Sequence, residues 1–364
     1  MSIMESAAVP AEYRAGFAVL VGRPNAGKST LTNAMVGQKV AITSNRPQTT
    51  RHTVRGIVHR SSYQLILIDT PGLHRPRTLL GQRLNDLVGE TLSEVDVIGF
   101  CLPADDRIGP GDRFIAAQLA ASSSKPVVAI VTKADAVSPD RLGEQLLAVD
   151  RLGRETMSAE RRLRAERTAR RRASGSSSSL RGSSQRRPFG GDARTPVTPE
   201  ESFDDGQGGW AQIIPVSAVS GYQVDAVADL LGQSLPSSMP LYPEGDLTDE
   251  PEAVMVAELV REAALEGVRD ELPHSVAVTV EEMVDREDRP TDDPMIDVHV
   301  NLYVERESQK AIIIGRRGSR LRDIGTTARR GIEALLGAKV YLNIHVKVAK
   351  DWQRDPRALG RLGF

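Results

Sequence analysis

Four short, continuous apolar runs, each followed by glycine or polar residues, mark the first two thirds of the chain. They are residues 17–21, 65–68, 127–131 and 213–216. Runs of this length are typical of strands buried on both faces of a parallel sheet. Residues 31–36, which follow the first run closely, predict a helix. The first part of the chain is therefore predicted to be an α/β domain with a mostly parallel sheet.

A different pattern fills the last third of the chain. Residues 252–265 have helical periodicity, with Val256, Leu259, Val260 and Ala263 on one face. Residues 276–280 and 296–304 read as strands. A short helix is predicted before Gly315, and a second helix over 319–336 precedes a last strand at 339–348. The predicted order is helix–strand–strand–helix–helix–strand, which indicates a second domain of α+β class.

The first predicted strand runs directly into a phosphate-binding motif. Residues 22–30 read Gly-Arg-Pro-Asn-Ala-Gly-Lys-Ser-Thr and fit G-x-x-x-x-G-K-[ST]. In such a loop, backbone N–H groups and the positive end of the following helix both point at an anion. Lys28 adds a cation for the β- and γ-phosphates, and the Ser29 hydroxyl can ligate Mg²⁺.

A second motif lies where the next buried run ends, at Asp69-Thr70-Pro71-Gly72. In P-loop proteins such an aspartate holds Mg²⁺, and the glycine N–H can bond the γ-phosphate. The polar stretch 42–52 between the motifs predicts a loop that a triphosphate would order. Thr50 is the predicted Mg²⁺ ligand from that loop, with Thr49 as the alternative. A solvated connector is the other interpretation.

The run at 127–131 ends in Thr132-Lys133-Ala134-Asp135, which resembles the Asn-Lys-x-Asp motif that reads guanine. The aspartate accepts two hydrogen bonds from N1–H and the 2-amino group, neither of which adenine offers. Thr132 replaces the usual asparagine, so altered affinity with retained guanine specificity is expected. Ser217-Ala218 resembles the last base-contacting loop of GTPases.

Composition adds three constraints. The formal net charge is -1, yet residues 295–364 hold 14 Lys/Arg against 7 Asp/Glu, a local excess typical of a nucleic-acid surface. The only cysteine, Cys101, excludes a disulfide framework and is interpreted as a small buried residue. The N-terminus has no signal-peptide pattern and no run has transmembrane length, so a cytoplasmic protein is expected.

Residues 152–208 depart from both patterns. Twelve arginines lie between 151 and 187, and a serine-rich and then an acidic, glycine-rich stretch follows. This composition predicts a disordered insertion. The segment is interpreted either as an arm that reaches RNA or as a surface insertion that the fold tolerates and that has no fixed role. The expected organisation is an N-terminal tail (1–15), a nucleotide domain (16–238) containing the insertion, a linker (239–250) and an RNA-binding domain with a C-terminal tail (251–364).

In this order the motifs resemble those of translation-factor-class small GTPases, and within them the Era family. The local matches include residues 22–30, Gln48-Thr49-Thr50-Arg51-His52 and Asp69-Thr70-Pro71-Gly72-Leu73-His74. Leu73 stands where Ras-like GTPases carry a water-positioning Gln, a replacement for which the family is known. The resemblance also implies that Asn25 helps to bind K⁺, which would supply charge during hydrolysis.

Residues 311–318 read Ala-Ile-Ile-Ile-Gly-Arg-Arg-Gly and end in a GXXG loop. With its flanking elements, this loop resembles that of a type II KH domain, in which GXXG approaches the backbone of about four nucleotides. The resemblance implies binding to the single-stranded 3′ region of small-subunit rRNA and a role in assembly of that subunit. Trp352, in the tail, either stacks on a base or packs onto the domain.

The predicted fold is thus a P-loop GTPase domain with a mostly parallel sheet, followed by a type II KH domain. The predicted function is a GTP-hydrolysing switch for 30S assembly. The alternatives are a P-loop ATPase and a nucleotide-independent RNA-binding protein. The resemblance further implies a monomer that can associate peripherally with the inner face of the cell membrane.

The predicted site residues fall into four sets. Catalysis is assigned to Asn25, Lys28, Thr50 and Gly72, and Mg²⁺ binding to Ser29, Thr50 and Asp69. Nucleotide binding is assigned to Gly22, Arg23, Pro24, Asn25, Ala26, Gly27, Lys28, Ser29, Thr30, Asp69, Thr70, Pro71, Gly72, Thr132, Lys133, Asp135, Ser217 and Ala218. RNA binding is assigned to Ile314, Gly315, Arg316, Arg317, Gly318, Arg320 and Arg322.

Overall fold

The structure of the protein is a computed structural model that describes residues 12–43, 54–71, 79–122, 125–156, 209–266, 276–290 and 293–362. Four sequence predictions lie outside these residues. They are the Mg²⁺ ligand Thr50 with its alternative Thr49, the γ-phosphate contact Gly72, the apolar Leu73, and the insertion from residue 157 onward.

In the described residues, the N-terminal domain contains a sheet of six strands, four of which lie at the apolar runs 17–21, 65–68, 127–131 and 213–216. The strands are β1 (Arg14–Val21), β2 (Val54–His59), β3 (Tyr63–Asp69), β4 (Val97–Pro103), β5 (Val127–Thr132) and β6 (Gln212–Pro215). Their order in the sheet is β2-β3-β1-β4-β5-β6. Only β2 is antiparallel to its neighbour, which confirms the mostly parallel sheet.

Helices cover both faces of this sheet. They are α1 (Lys28–Val36), α2 (Leu79–Glu94), α3 (Pro110–Ser122), α4 (139–156) and α5 (Val224–Gln233). The core on one face includes side chains of α1 and α5. The core on the other face includes side chains of α2, α3 and α4. Burial on both sides explains why the strands are apolar without alternation.

The carboxyl ends of β1, β3 and β5 carry the three predicted nucleotide motifs. Because these strands are parallel, their carboxyl ends lie at one edge of the sheet. The register pairs Leu20 of β1 with Asp69 of β3. Ligands of open α/β sheets bind at this edge. The fold therefore places the P-loop, Asp69 and the Thr132–Asp135 segment together.

The C-terminal domain has the predicted order of elements. They are α6 (Glu252–Leu265), β7 (Ala277–Asp285), β8 (Met295–Val304), α7 (Glu307–Ile314), α8 (Ser319–Leu336), β9 (Lys339–Val348) and α9 (Pro356–Arg361). In the sheet, β8 lies between antiparallel β7 and parallel β9. The core joins α6, α7 and α8 to this sheet.

The predicted linker, 239–250, lies along the edge of the first sheet. The side chain of Gln64 accepts the backbone N–H groups of Leu241 and Tyr242 at 2.6 and 2.9 Å. The backbone N–H of Ile57 in β2 donates to the Leu247 carbonyl at 2.9 Å. These bonds attach the linker to the N-terminal domain over much of its length.

Two predicted boundaries differ from the structure. Strand β1 begins at Arg14, so the last residues of the predicted tail, 1–15, belong to the sheet. Helix α4 continues through residue 156, so the first five residues of the predicted insertion, 152–208, are helical. Leu152 is buried there, and Trp210 donates its indole N–H to the Val149 carbonyl at 2.8 Å. Burial against α3 and Trp210 extends the helix beyond the limit predicted from composition.

No helix in the part of the chain that the structure describes is long and apolar enough to cross a membrane.

Candidate nucleotide-binding and RNA-binding sites

The phosphate-binding motif turns sharply between β1 and α1. Gly22 has φ 157°, and a Cβ added there would lie 2.6 Å from the Cys101 carbonyl oxygen. Only glycine fits this position. Because α1 begins at Lys28, Ser29 and Thr30 occupy its first turn, the part of a helix whose backbone N–H groups can bind an anion.

The Lys28 side chain lies inside the loop. Its ammonium donates to the carbonyl oxygens of Gly22 and Arg23 at 3.3 and 3.1 Å. Burial lowers the pKa of this ammonium, and the nearby Asp69 carboxylate acts in the opposite direction. A phosphate beside Lys28 would add negative charge and stabilise the ammonium further.

Two of the three predicted Mg²⁺ ligands are in direct contact. The Ser29 hydroxyl donates to an Asp69 carboxylate oxygen at 2.6 Å, and Asp69 is fully buried at the end of β3. Oxygen ligands of this kind are those that Mg²⁺ prefers. The next residue, Thr70, donates its hydroxyl to the Leu20 carbonyl at 2.9 Å, which fixes the end of β3 beside β1.

The Arg23 side chain forms two ion pairs beside the P-loop. Its Nε lies 2.7 Å from Asp112, whose side chain is 1% exposed, and its Nη2 lies 3.0 Å from Asp106. Asp112 also accepts the Gly109 N–H at 2.8 Å. The guanidinium therefore attaches the P-loop to the start of α3. Asn25, two residues further on, is exposed with φ 63°.

Sequence reasoning did not predict Asp112. The available signal was Gly109-Pro110-Gly111-Asp112, a typical helix start with an acidic first turn. That signal explains the bond to Gly109, but nothing local indicates the partner Arg23.

The hydroxyl of Thr132 connects the base-reading loop to the phosphate loop. It donates to the Ala26 carbonyl at 2.7 Å, and Thr132 is buried. A threonine hydroxyl has one proton, so this bond uses its whole donor capacity. The residue that replaces the usual asparagine thus holds two loops together. A second bond attaches the base-reading loop to the end of β6, because the Ala134 N–H donates to the Val216 carbonyl at 3.1 Å.

Lys133 and Asp135 point into different surroundings. The Lys133 ammonium pairs with Asp105 at 3.0 Å, and its backbone is left-handed with φ 57°. Asp135 follows in a short 3₁₀ turn and is exposed. Among the described residues its carboxylate has no ion-pair partner, which leaves it available for a base.

The two predicted residues Ser217 and Ala218 have different roles. The Ser217 backbone N–H donates to the Tyr222 carbonyl at 3.0 Å, and its hydroxyl accepts the Ser220 N–H at 3.1 Å. Ser217 therefore shapes the loop. The backbone N–H of Ala218 has no acceptor within the described ranges, which makes it the candidate donor to a base oxygen.

Cys101 is buried beneath the P-loop, as interpreted from the sequence. Burial raises the pKa of its thiol to about 12. The thiol stays protonated and unreactive at neutral pH.

The GXXG segment forms a tight turn between α7 and α8. Gly315 has φ 70°, and a Cβ there would lie 2.8 Å from the Cβ of Arg320. Arg316 and Arg317 are exposed at the turn. Ile314, before the turn, is half-buried. The two exposed guanidinium groups can meet phosphates, while the glycines allow close approach of a nucleic-acid backbone.

A cleft of about 390 Å³ extends from Gly318 between α8 and β9. The predicted Arg322 lies in its wall, together with Arg329, Tyr341 and Asn343, which sequence reasoning did not single out. Tyr341 is 48% exposed, and the Arg286 guanidinium lies 5.4 Å from its ring centroid. The alternation of β9 was the signal that could have identified Tyr341 and Asn343.

Arg320 is not placed as predicted. Its guanidinium donates to the carbonyl oxygens of Ala264 and Glu266 at 3.4 and 3.0 Å, at the end of α6. A cation at a helix C-terminus satisfies carbonyls that have no helical partner. Arg320 therefore joins α8 to α6, whereas Arg316, Arg317 and Arg322 remain candidates for phosphate contact.

The Trp352 side chain packs inside the protein and does not stack on a base. It is fully buried in a cluster with Leu359 and Leu362 of the C-terminal tail and with Leu80 and Leu84 of α2. The tail thus covers the first turns of α2 in the N-terminal domain. A base cannot reach the indole in this arrangement.

Comparison with known proteins identifies both domains. A family model described as 50S ribosome-binding GTPase matches residues 17–133, and a KH domain model matches residues 271–353. The chain is 60% identical over 362 residues to GTPase Era of Streptomyces coelicolor, which covers 99% of this chain and 98% of that protein. It is 57% identical over 354 residues to GTPase Era of Mycobacterium avium, covering 97% and 99% of the two chains.

Solved structures show the same architecture. An Era in complex with MgGDPNP and nucleotides 1506-1542 of 16S ribosomal RNA has a TM-score of 0.77 at 30% identity, covering 96% of this chain and 99% of that one. A point variant of Aquifex aeolicus Era bound to GDP and aluminium fluoride has a TM-score of 0.75 at 29% identity, with the same coverage. With relatives this similar over nearly its full length, and with a P-loop domain joined to a KH domain, the chain belongs to the Era GTPase family.

Proposed function

We propose that this protein binds GTP, hydrolyses it to GDP and phosphate, and binds the single-stranded 3′ region of 16S rRNA to assist 30S subunit assembly. The observation that carries the proposal is the 2.7 Å bond from Thr132 to Ala26. It joins the phosphate-binding loop to the guanine-reading segment. The related Era bound to a 16S rRNA fragment supports the RNA half of the proposal.

In hydrolysis, a water oxygen adds to the γ-phosphorus while the bond from that phosphorus to the β–γ bridging oxygen breaks. Negative charge develops on the leaving β-phosphate. Lys28 and the N–H groups at the start of α1 neutralise that charge from fixed positions. Thr50 and Gly72, which lie outside the described residues, are proposed to contact Mg²⁺ and the γ-phosphate, respectively.

Ser29, Asp69 and Thr50 are the proposed residues of a Mg²⁺ site. The contact of Ser29 with Asp69 brings two side-chain oxygen atoms together beside the phosphate loop, which supports a fit to the ion. When bound, Mg²⁺ neutralises charge on the β- and γ-phosphates. Ser29 and Asp69 hold their oxygen atoms in place for this purpose.

Monovalent cation dependence forms a separate part of the proposal. With Leu73 in place of a water-positioning Gln, hydrolysis must use another device. Asn25, exposed at the tip of the P-loop, is proposed to help bind K⁺. Hydrolysis is expected to slow when Na⁺ replaces K⁺. An equal rate in both salts would contradict this part.

The RNA site is proposed to comprise the GXXG turn and the cleft beside it. Arg316 and Arg317 contact phosphates, and the cleft between α8 and β9 accepts bases. From the family resemblance, the proposal includes a monomer in the cytoplasm that associates with the 30S subunit and, peripherally, with the inner face of the membrane. Co-sedimentation with 30S subunits and with lipid vesicles tests these associations separately.

Nucleotide specificity is tested by displacing a fluorescent GDP analogue with GTP and with ATP. GTP is expected to compete far better, because adenine lacks the two donors that Asp135 accepts. Equal competition would instead support a P-loop ATPase. Lys28→Ala should abolish hydrolysis, while Lys350→Ala, on the exposed tail, should retain it.

RNA recognition is tested by crosslinking and sequencing in cells, with wild type and Lys28→Ala. Crosslinks near the 3′ end of 16S rRNA are expected. A Lys28→Ala protein that restores growth and ribosome assembly would instead support nucleotide-independent RNA binding.

A further inference from the structure

The short loop after β4, residues 104–106, lies beside the base-reading segment, although no sequence motif marks it. Asp105 in this loop pairs with Lys133, whose ammonium donates to both carboxylate oxygens at 3.3 and 3.0 Å. Each side chain is 38% exposed, so water and salt screen the pair in part. The pair therefore connects the carboxyl ends of β4 and β5, at the edge of the sheet that carries the nucleotide motifs.

Hydrogen bonds from two sides hold the backbone of this loop. Pro103 lies opposite Thr132 in the register of β4 and β5, and the Ala104 N–H donates to the Thr132 carbonyl at 2.8 Å. From the other side, the buried Gln145 amide donates to the carbonyl oxygens of Pro103 and Asp106 at 3.1 and 3.0 Å. The carboxylate of the residue between Ala104 and Asp106 thus extends from a fixed position.

The backbone of Lys133 is fixed as well. Its φ of 57° is left-handed, and its carbonyl accepts the Ala136 N–H at 3.0 Å. The next residue, Ala134, is bonded to the Val216 carbonyl. The freedom that remains is in the lysine side chain, and lysine is among the residues that lose the most rotamer entropy when they become ordered. The ion pair with Asp105 restricts that side chain from its charged end.

The position of Lys133 suits it to cover a bound base. It lies two residues before Asp135, which is proposed to contact the guanine edge. The methylene stem of a lysine packs readily on apolar surface while its ammonium stays in polar surroundings. A stem that is already held loses less freedom when the nucleotide arrives, and a smaller ordering cost gives tighter binding.

We infer that Asp105 is a positioning residue for the nucleotide: it holds the Lys133 side chain in place to cover the plane of the base. Asp105 acts through Lys133 and does not read the base itself. This inference rests on the proposed function, because a base lies beside Lys133 only if the protein binds a guanine nucleotide there.

The first test measures the Kd of the full-length protein for GDP by fluorescent GDP titration. Asp105→Asn keeps the shape of the side chain and removes its charge, so the Kd should rise about 1.4- to 5-fold, the range for a partly exposed ion pair. The difference from wild type should shrink in 1 M NaCl, where the screening length is about 3 Å. In GTP hydrolysis the KM should rise by the same factor and kcat should stay unchanged, because the base contact is equal in the ground and transition states.

A double-mutant cycle tests whether Asp105 acts through Lys133. Lys133→Met keeps an unbranched apolar stem and removes the ammonium. Asp105→Asn should have no further effect on the GDP affinity of the Lys133→Met protein. Asp106→Asn is the matched comparison, because that neighbouring carboxylate pairs with Arg23 at 3.0 Å and not with the lysine. Its effect should be the same in both backgrounds.

Two competitor ligands locate the effect at the base. Inorganic pyrophosphate has no base, so its affinity should be unchanged in Asp105→Asn. IDP lacks the 2-amino group that Asp135 is proposed to read, so Asp105→Asn should weaken IDP and GDP by the same factor. Asp140→Asn makes the same change of charge at the exposed start of α4, where Asp140 has no ion pair with another described residue, and should bind GDP as wild type does.

Thermal unfolding of each variant checks that the fold is intact. Wild-type affinity for GDP in folded Asp105→Asn protein would overturn the inference, and so would additive effects of Asp105→Asn and Lys133→Met. Equal weakening of pyrophosphate and GDP would also overturn it, because the effect would then lie in the P-loop. A wild-type protein that binds ADP as tightly as GDP would contradict the proposed function itself.

Discussion

The Thr132 hydroxyl donates to the Ala26 carbonyl at 2.7 Å, across the boundary between β5 and the P-loop. Neither residue is exposed, so water does not compete for this bond. Thr132 stands where this motif commonly has asparagine, and its single hydroxyl holds the base-reading loop to the P-loop. We propose that the guanine-reading task remains with Asp135.

Removing the hydroxyl should therefore weaken nucleotide binding. We expect Thr132→Val, which keeps the shape but leaves the Ala26 carbonyl without its donor, to raise the Kd for GDP about 2- to 12-fold. Thr132→Ser keeps the donor and should bind almost as wild type does. Fluorescent GDP titration measures both. Equal weakening in the two variants would show that the methyl group, not the hydroxyl, matters.

The ion pair between Arg23 and Asp112 should contribute to stability. We expect Asp112→Asn to lower the free energy of unfolding by about 1–3 kcal/mol, below the cost of breaking a fully buried pair, since Arg23 keeps Asp106 and partial solvation. The Tm should fall by about 2–4 °C for each kcal/mol.

Glu155→Gln provides the control for this prediction. Glu155 pairs with Arg113 at 3.4 Å, but both side chains are more than 60% exposed. Its loss should leave the Tm unchanged within error. An Asp112→Asn protein with the wild-type Tm would mean that Asp106 alone holds Arg23.

Trp352 should be important for stability and not for stacking on RNA. We expect Trp352→Ala to destabilise the protein by about 3–5 kcal/mol, because it leaves a cavity between α2 and the tail. Trp352→Phe should cost less. Denaturant unfolding with two optical probes measures the loss. If Trp352→Ala has the same free energy of unfolding as the wild type but binds RNA more weakly, the result contradicts the structure.

Tyr341 should behave in the opposite way. It is half-exposed in the cleft beside the GXXG loop, where base stacking on an aromatic ring contributes about 1–3 kcal/mol. Tyr341→Ala should therefore raise the Kd for the 3′-end RNA about 5- to 150-fold with little change in Tm. Tyr341→Phe keeps the ring and should bind normally. Normal binding by Tyr341→Ala would exclude stacking at this position.

Local patterns predicted much of the fold. The helices Glu252–Leu265 and Ser319–Leu336 begin and end where the periodicity predicts, because amphipathic faces and glycines mark them. The apolar runs predicted strands that are buried on both sides. The helical state of residues 152–156 was missed, since tertiary contact with Trp210 extends α4 into a composition that favours disorder.

The site was predictable where a motif is contiguous and not where partners are distant. Lys28, Ser29 and Asp135 follow from their spacing. Arg23 and Asp112 are 89 residues apart, so their contact depends on the strand order β1-β4 and not on local sequence. Arg320 looked like a phosphate contact because its charge is visible in the sequence, whereas the end of α6 that binds it is not.

The buried cluster around Trp352 also fixes an order of events during synthesis. Leu80 and Leu84 emerge early, whereas their partners Trp352, Leu359 and Leu362 are made only after β9. At translation rates of roughly 5–20 residues per second, α2 keeps this apolar surface uncovered for some tens of seconds. The nascent chain therefore buries this surface of α2 only after the C-terminal tail has been made, and a product truncated before Trp352 leaves α2 exposed and accessible to chaperones.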